Sequence, residues 1–185
     1  MSGFLERRVF VANQRRRLLL TGLATLTLAP VARARSGQRR TIAFAHTHTG
    51  ERLTTSYFDG GEYQASELAR VNYLLRDFRN GEVHPISTDV LDILFDLQRA
   101  ISSDVLPYEV ISGYRSPQTN AELRSHSHGV AEHSLHVQGR AIDVRLPGVA
   151  TSRLHELALN LGRGGVGYYR SSDFVHVDNG RVRYW

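Results

Sequence analysis

Residues 133–146 read HSLHVQGRAIDVRL. Two readings compete for them: a polar loop running into an ordinary strand, or part of a metal site. The second half alternates, with Ala141, Asp143 and Arg145 on one side and Ile142, Val144 and Leu146 on the other. That period of two is the mark of a β-strand with one apolar face. Gly139 supplies a turn just before the strand, and such a turn folds His136 back toward the Asp143 carboxylate.

Downstream of this strand, GGVGYY (164–169), DFVHVD (173–178) and RVRYW (181–185) read as three short strands that close the sheet antiparallel. TSRLHELALNLG (151–162) reads as a helix with His155 at its surface. Upstream, SELARVNYLLRDFRNG (66–81) has apolar residues at 68, 71, 74, 75 and 78, one helical face, with Ser66 as cap and Gly81 as stop. STDVLDILFDLQRAIS (87–102) repeats the pattern through Val90, Leu91, Leu94, Leu97 and Ile101, capped by Ser87 or Thr88. TIAFAHTHTGERLTTSYF (41–58) reads as a hairpin about Thr49–Gly50, and PYEVISGYRS (107–116) as a strand and a glycine turn. Ser116–Pro117 opens a helix, with a capping hydroxyl before proline at the first helical position. Residues 125–139 show no period and are expected to be a loop. Helices early and strands late predict an α+β domain over 41–185, a central, mainly antiparallel sheet flanked by helices.

The formal charge of +5 is unevenly placed. Residues 1–34 hold six arginines and one acid, which leaves 17 basic residues against 17 acidic ones in the remainder. A nucleic-acid reader carries its basic face on the folded part, so that class is set aside. NQRRRLLLTGLATLTLAPVARA (13–34) has an arginine cluster, a short apolar run and a small-residue Ala32-Arg33-Ala34 site. This is the pattern of an export signal over 1–34, of twin-arginine type, with a polar linker at 35–40. A general secretory signal or an uncleaved anchor is the alternative. The expected location is periplasmic, with no stable membrane insertion once the signal is removed.

The chain has no cysteine and nine histidines, so any metal site is built from His, Asp and Glu. In DFVHVD, His176 shares a strand face with Phe174 and Asp178. Two strands each presenting a ligand-type side chain, plus a loop histidine, make three ligands: His136, Asp143 and His176. Three nitrogen or oxygen ligands with a fourth place left to water is the catalytic zinc arrangement. Singly, each residue reads as well otherwise: a strand histidine is commonly a hydrogen-bonded core residue, and a strand aspartate an arginine's partner.

SLHVQGRAID (134–143) resembles the Ser-x-His-x-x-Gly-x-Ala-x-Asp signature of zinc peptidases that act on bacterial cell walls, the LAS superfamily. SGYRS (112–116) is similar to that group's arginine-bearing turn and FVHVD (174–178) to its last ligand strand. HTGE (48–51), YFDG (57–60), GGVGYY and the final tryptophan narrow the likeness to its murein endopeptidase K branch, over nearly the whole chain after the signal. The resemblance implies the LAS, Hedgehog-like fold and Zn2+ on His136, Asp143 and His176. It places Arg115 beside the metal and Arg115 and Ser134 toward the substrate. Its general base is an acid near the last ligand, either Asp173, three residues before His176, or Asp178, favoured because alternation puts it on the same side as His176. His126, His128 and His133 match no ligand position, and His48 is given a structural or supporting role. The implied partners are peptidoglycan stem peptides, cut at cross-links between meso-diaminopimelate residues, with 3–3 links as the branch's preference. A D-alanyl-D-alanine carboxypeptidase is the enzyme alternative. A zinc-bearing binding module of the Hedgehog type is the non-enzymatic one, and a zinc carrier lacks the histidine-rich tract it would need. The residues specify no oligomeric state.

Overall fold

The computed structural model describes residues 37–102, 104–126 and 130–185. The signal-type segment 1–34 and His128 lie outside the described residues. The order of elements is β1 (Arg40–His46), β2 (Arg52–Asp59), β3 (Glu62–Tyr63), α1 (Ala65–Leu74), α2 (Thr88–Ile101) and β4 (Pro107–Ser112). Then come α3 (Pro117–His126), a single 3-10 turn (Leu135–Gln138), β5 (Ala141–Arg145) and α4 (Thr151–Leu161). The chain finishes through β6 (Gly165–Tyr169), β7 (Phe174–Asp178) and β8 (Arg183–Tyr184). The strands form one sheet in the order β3-β2-β1-β4-β5-β7-β6-β8. Both edges are two-residue strands. Among the described residues no helix is long and apolar enough to cross a membrane.

The mixed α+β class agrees with the sequence, and most strand pairs are antiparallel. Two pairs are parallel, β1 with β4 and β6 with β8. The first follows from connectivity, because α1 and α2 carry the chain over before it returns as β4. The second corrects the expectation that all three last strands run antiparallel. Other departures are local. β1 begins at Arg40, inside the expected linker, where Arg40 pairs with Asp92 at 2.5 Å. Ser66 lies within α1, and Gln64 holds the capping position. The helix stops at Leu74, well before Gly81, because Asp77 turns inward. Its buried carboxylate accepts from Ser116 N at 2.9 Å and Arg79 N at 3.1 Å. Gly81, at φ +79°, closes that following turn. Ser116 caps α3 as expected, its Oγ accepting from Thr119 N at 3.1 Å. The stretch 125–139 is only in part a loop, since α3 runs to His126 and the 3-10 turn occupies 135–138.

One face of the sheet is the core. Ile42 and Phe44 of β1, Tyr108 and Val110 of β4, Ile142 and Val144 of β5, and Val175 and Val177 of β7 pack with Val90, Leu91, Leu94 and Leu97 of α2 and Leu154 of α4. Each such side chain fully removed from water contributes about 1.5–3 kcal/mol. Because side chains alternate, burying Ile142 and Val144 on this face sends Asp143 to the other; the same holds for His176 between Val175 and Val177.

Candidate metal centre

Register does the rest. In the β5–β7 ladder Asp143 stands opposite His176 and Ala141 opposite Asp178. On the outer side of β7, Gly167 of β6 stands opposite His176. On the other side of β5, a register shift between Val110 and Ser112 brings Ser112 opposite Asp143. This bulge bends the end of β4 and starts the turn that carries Arg115.

His136 comes from the 3-10 turn. Ser134 opens that turn, its Oγ accepting from His136 N at 3.3 Å, and Gly139 closes it at φ +63°. A Cβ on Gly139 would collide with the carbonyl oxygen of Pro85, so glycine is demanded both by conformation and by space. Gly139→Ala is expected to cost about 3 kcal/mol or more, read as a fall in the urea midpoint. Gly81→Ala, at a similar φ but with open space around it, should cost about 1 kcal/mol.

The ligand-type atoms of His136, Asp143 and His176 all lie within 4.8 Å of one another, and all three residues are buried. His136 Nε2 is 3.2 Å from His176 Nδ1 and 3.3 Å from Asp143 Oδ1, and His176 Nδ1 is 2.8 Å from Asp143 Oδ1. The outer ring nitrogens are already committed. His136 Nδ1 donates to the carbonyl oxygen of Gly113 at 2.8 Å, and His176 Nε2 donates to Asp178 Oδ2 at 3.0 Å. A neutral imidazole has one N–H, so both inner nitrogens present lone pairs, aimed at one point beside a carboxylate oxygen. Two lone pairs and an anionic oxygen this close need a positive charge between them. A proton is one answer. Burial opposes a charge on His176, yet hydrogen bonds to Asp143 and Asp178 outweigh it and raise its pKa to about 9. Burial likewise opposes charge on Asp143, but the His136 and His176 rings hold it well below the usual carboxylate range. A divalent metal ion is the other answer, and a donor set of two nitrogens and one oxygen fits it.

The three residues open into a cavity of about 220 Å³ lined also by Arg115, Ser134, Tyr169, Phe174 and Trp185. Arg115 Nη2 lies 3.9 Å from Asp143 Oδ2. Its hydrogen bonds to Ser112 and Asn120 are long, 3.4 Å each, and its buried Nε has no partner among the described residues. A larger groove of about 490 Å³, lined by Glu51, Leu53, Tyr73 and Leu74, has no comparable convergence of ligand atoms.

Neither acid expected as the base faces this cavity. Asp178 is indeed on the His176 side, but it is fully buried behind the ring. It takes both Arg183 amino groups at 2.7 and 3.0 Å and the Gly165 and Gly180 amides at 3.1 and 2.8 Å. A carboxylate holding five donors has no lone pair to spare for a water in the cavity. Asp173 sits before β7 with a left-handed backbone, φ +52°, where its side chain accepts from Thr151 Oγ1 and lies 3.7 Å from Arg145. The exposed His126 and His133 are not among the converging ligands, and His155 stacks on Tyr168. Tyr169 and the Gly113 carbonyl were missed; no motif marks a backbone oxygen.

His46 and His48 belong to a separate aromatic cluster around Phe78. His46 is buried and its Nδ1 accepts from His48 N at 3.2 Å. Its Nε2 has no partner among the described residues. Burial, aided by His48, lowers its pKa to about 4. The unfolded chain therefore takes up this proton near pH 6.5 while the folded one resists until about 4. Stability is expected to fall by up to about 3 kcal/mol as pH drops through that window. Urea titrations should show this slope reduced in His46→Gln.

A family profile described as peptidoglycan L,D-endopeptidase MepK matches residues 34–185. The peptidoglycan L,D-endopeptidase MepK of Escherichia coli (strain K12) is 39% identical over 180 residues, covering 95% of this chain and 98% of the relative. The probable peptidoglycan L,D-endopeptidase MepK of Haemophilus influenzae is 37% identical over 177 residues, covering 94% and 95%. With the profile spanning the whole described domain and relatives aligned almost end to end, this chain belongs to the peptidoglycan L,D-endopeptidase MepK family.

Proposed function

We propose that the protein is an exported zinc-dependent endopeptidase that hydrolyses peptide cross-links of peptidoglycan, of the L,D type named for its relatives and specifically the 3–3 links between meso-diaminopimelate residues. The observation that carries this reading is the pair of imidazoles whose outer hydrogen bonds turn both inner lone pairs onto Asp143 Oδ1, at the floor of a cavity holding a half-buried arginine. His136, Asp143 and His176 hold the zinc. When bound, it supplies a Lewis acid and lowers the pKa of a water toward about 7.

The chain's own groups do the remainder. Arg115 offers a fixed cationic fork to the scissile carbonyl as negative charge builds there, or to a substrate carboxylate. Ser134 keeps the 3-10 turn in place and gives the cavity a polar wall. Asp178 contributes through His176, fixing its tautomer and ring plane. The arginine-led segment 1–34 is the export signal of twin-arginine type, delivering the domain to the periplasm.

Zinc-loaded and chelator-stripped protein, incubated with purified cross-linked muropeptides and followed by mass spectrometry, test the reading. Dimers split into monomers by the loaded form alone are the expected result, with masses naming the bond. Release of one D-alanine would reassign the enzyme as a carboxypeptidase. Zinc bound one per chain without any product would make it a binding module.

A further inference from the structure

The cavity wall facing the ligands is aromatic and ordered by hydrogen bonds. Tyr169 stands opposite Phe174 in the β6–β7 ladder, and the two rings stack at 4.5 Å with 16° between their planes. The indole of Trp185 lies beside them, 5.2 Å from the His176 ring, and its Nε1 donates to the Tyr169 hydroxyl at 3.0 Å. An indole nitrogen only donates. The Tyr169 oxygen is therefore the acceptor in this pair, and its own O–H remains to be given elsewhere. Among the described residues no group takes it.

Trp185 is itself firmly placed. Its main chain bonds to β6 at both ends, Tyr168 N to Trp185 O at 3.0 Å and Trp185 N to Val166 O at 3.3 Å. The ring fits over Gly167, where a Cβ would come within 2.7–2.8 Å of the indole. Arg183, fixed on Asp178, sits 5.0 Å over its face. A tyrosine held by such a neighbour points one donor in one direction, and Tyr169 lines the cavity that Arg115 enters.

We infer that Tyr169 is a catalytic residue, its hydroxyl donating a hydrogen bond to the scissile carbonyl oxygen as charge develops there, and that Trp185 is the residue that positions it. This rests on the endopeptidase reading above. No bond to Tyr169 forms and it keeps its proton; the water oxygen joins the carbonyl carbon, the C–N bond breaks, and the water's two protons end on the leaving amine, the acyl half departing as a carboxylate. Arg115 and Tyr169 thus share the oxyanion.

The test uses a phosphinic pseudopeptide of the cross-link, whose tetrahedral oxygens imitate the developing charge, titrated calorimetrically into the zinc-loaded full chain. Tyr169→Phe should bind it about 100–1,000-fold more weakly, the order by which kcat falls when one oxyanion donor is removed. The same variant, stripped of metal, should bind the uncleaved muropeptide dimer within threefold of wild type, and kcat should fall with KM little changed. Trp185→Phe should cost less, and its effect should vanish in the Tyr169→Phe background, which a merely structural role would not produce. Phosphinate affinity unchanged within twofold, or lost in step with dimer binding, would overturn the assignment. Because the calorimetry needs no turnover, a wild type inactive on cross-links would defeat the proposed substrate while the phosphinate comparison still decides the role of Tyr169.

Discussion

His136→Ala is expected to lose metal and turnover together while keeping its fold. The substitution removes one of the three proposed protein ligands, Nε2, and with it the Nδ1–H bond to Gly113. Removing a mere outer partner of a ligand lowers metal affinity about 10–100-fold; losing the ligand itself should exceed that. Peptide hydrolysis is expected to drop by at least about a thousandfold, some 4 kcal/mol of barrier. The stability readout separates this from unfolding. On the proposed reading, zinc binding to the folded wild type should raise its melting temperature by mass action. His136→Ala should melt near the stripped wild type and gain nothing from added zinc. A variant that still binds zinc one per chain, measured by equilibrium dialysis with mass spectrometry of the metal, would remove His136 from the ligand set.

Asp178→Ala should be the most destabilising single change near the site. Its carboxylate is wholly buried and takes bonds from His176, Arg183, Gly165 and Gly180. Truncation strands those donors, including one charged guanidinium, at a cost of about 3–5 kcal/mol. Asp178→Asn is the milder probe, since it retains an acceptor for His176 and loses the charge. Metal affinity is expected to fall about 10–100-fold, and activity to return largely at saturating zinc. A general base would behave otherwise: kcat would stay low at full metal occupancy. Asp173→Asn should leave activity within about twofold, because Asp173 faces Thr151 and Arg145 at the surface.

These two acids show where sequence reasoning reaches and where it stops. Alternation within VHVD correctly puts Asp178 on the His176 side, since strand geometry alone dictates it. The same side is not the same cavity. What encloses Asp178 is Arg183, together with amides from Gly165 and Gly180, and those contacts depend on β8 joining β6 in parallel, which no local pattern announces. The apolar faces of β5 and β7 and of helix α2 were legible because their periods are strict. Their mutual register, which sets Asp143 beside His176, is a property of the ladder and not of either strand. The bulge near Ser112 was illegible for the same reason. Gly81 misled as a helix stop because a buried aspartate, Asp77, redirects the chain after Leu74, and Ser66 misled as a cap because α1 already begins at Ala65 with Gln64 before it.

The stub-like rims of the sheet bear on how a peptide is received. On one border β3 covers only Phe58 and Asp59 of β2, so the outer edge of β2 has no strand partner along residues 52–57 among the described residues. An enzyme surrounded by extended peptides at high local density risks capturing them by strand addition along an open border, far from any chemistry. That stretch is where such a stray match would have to form, and the exposed Arg52 and Thr54 on it, with Thr55 tied to Glu67 of α1, stand against it.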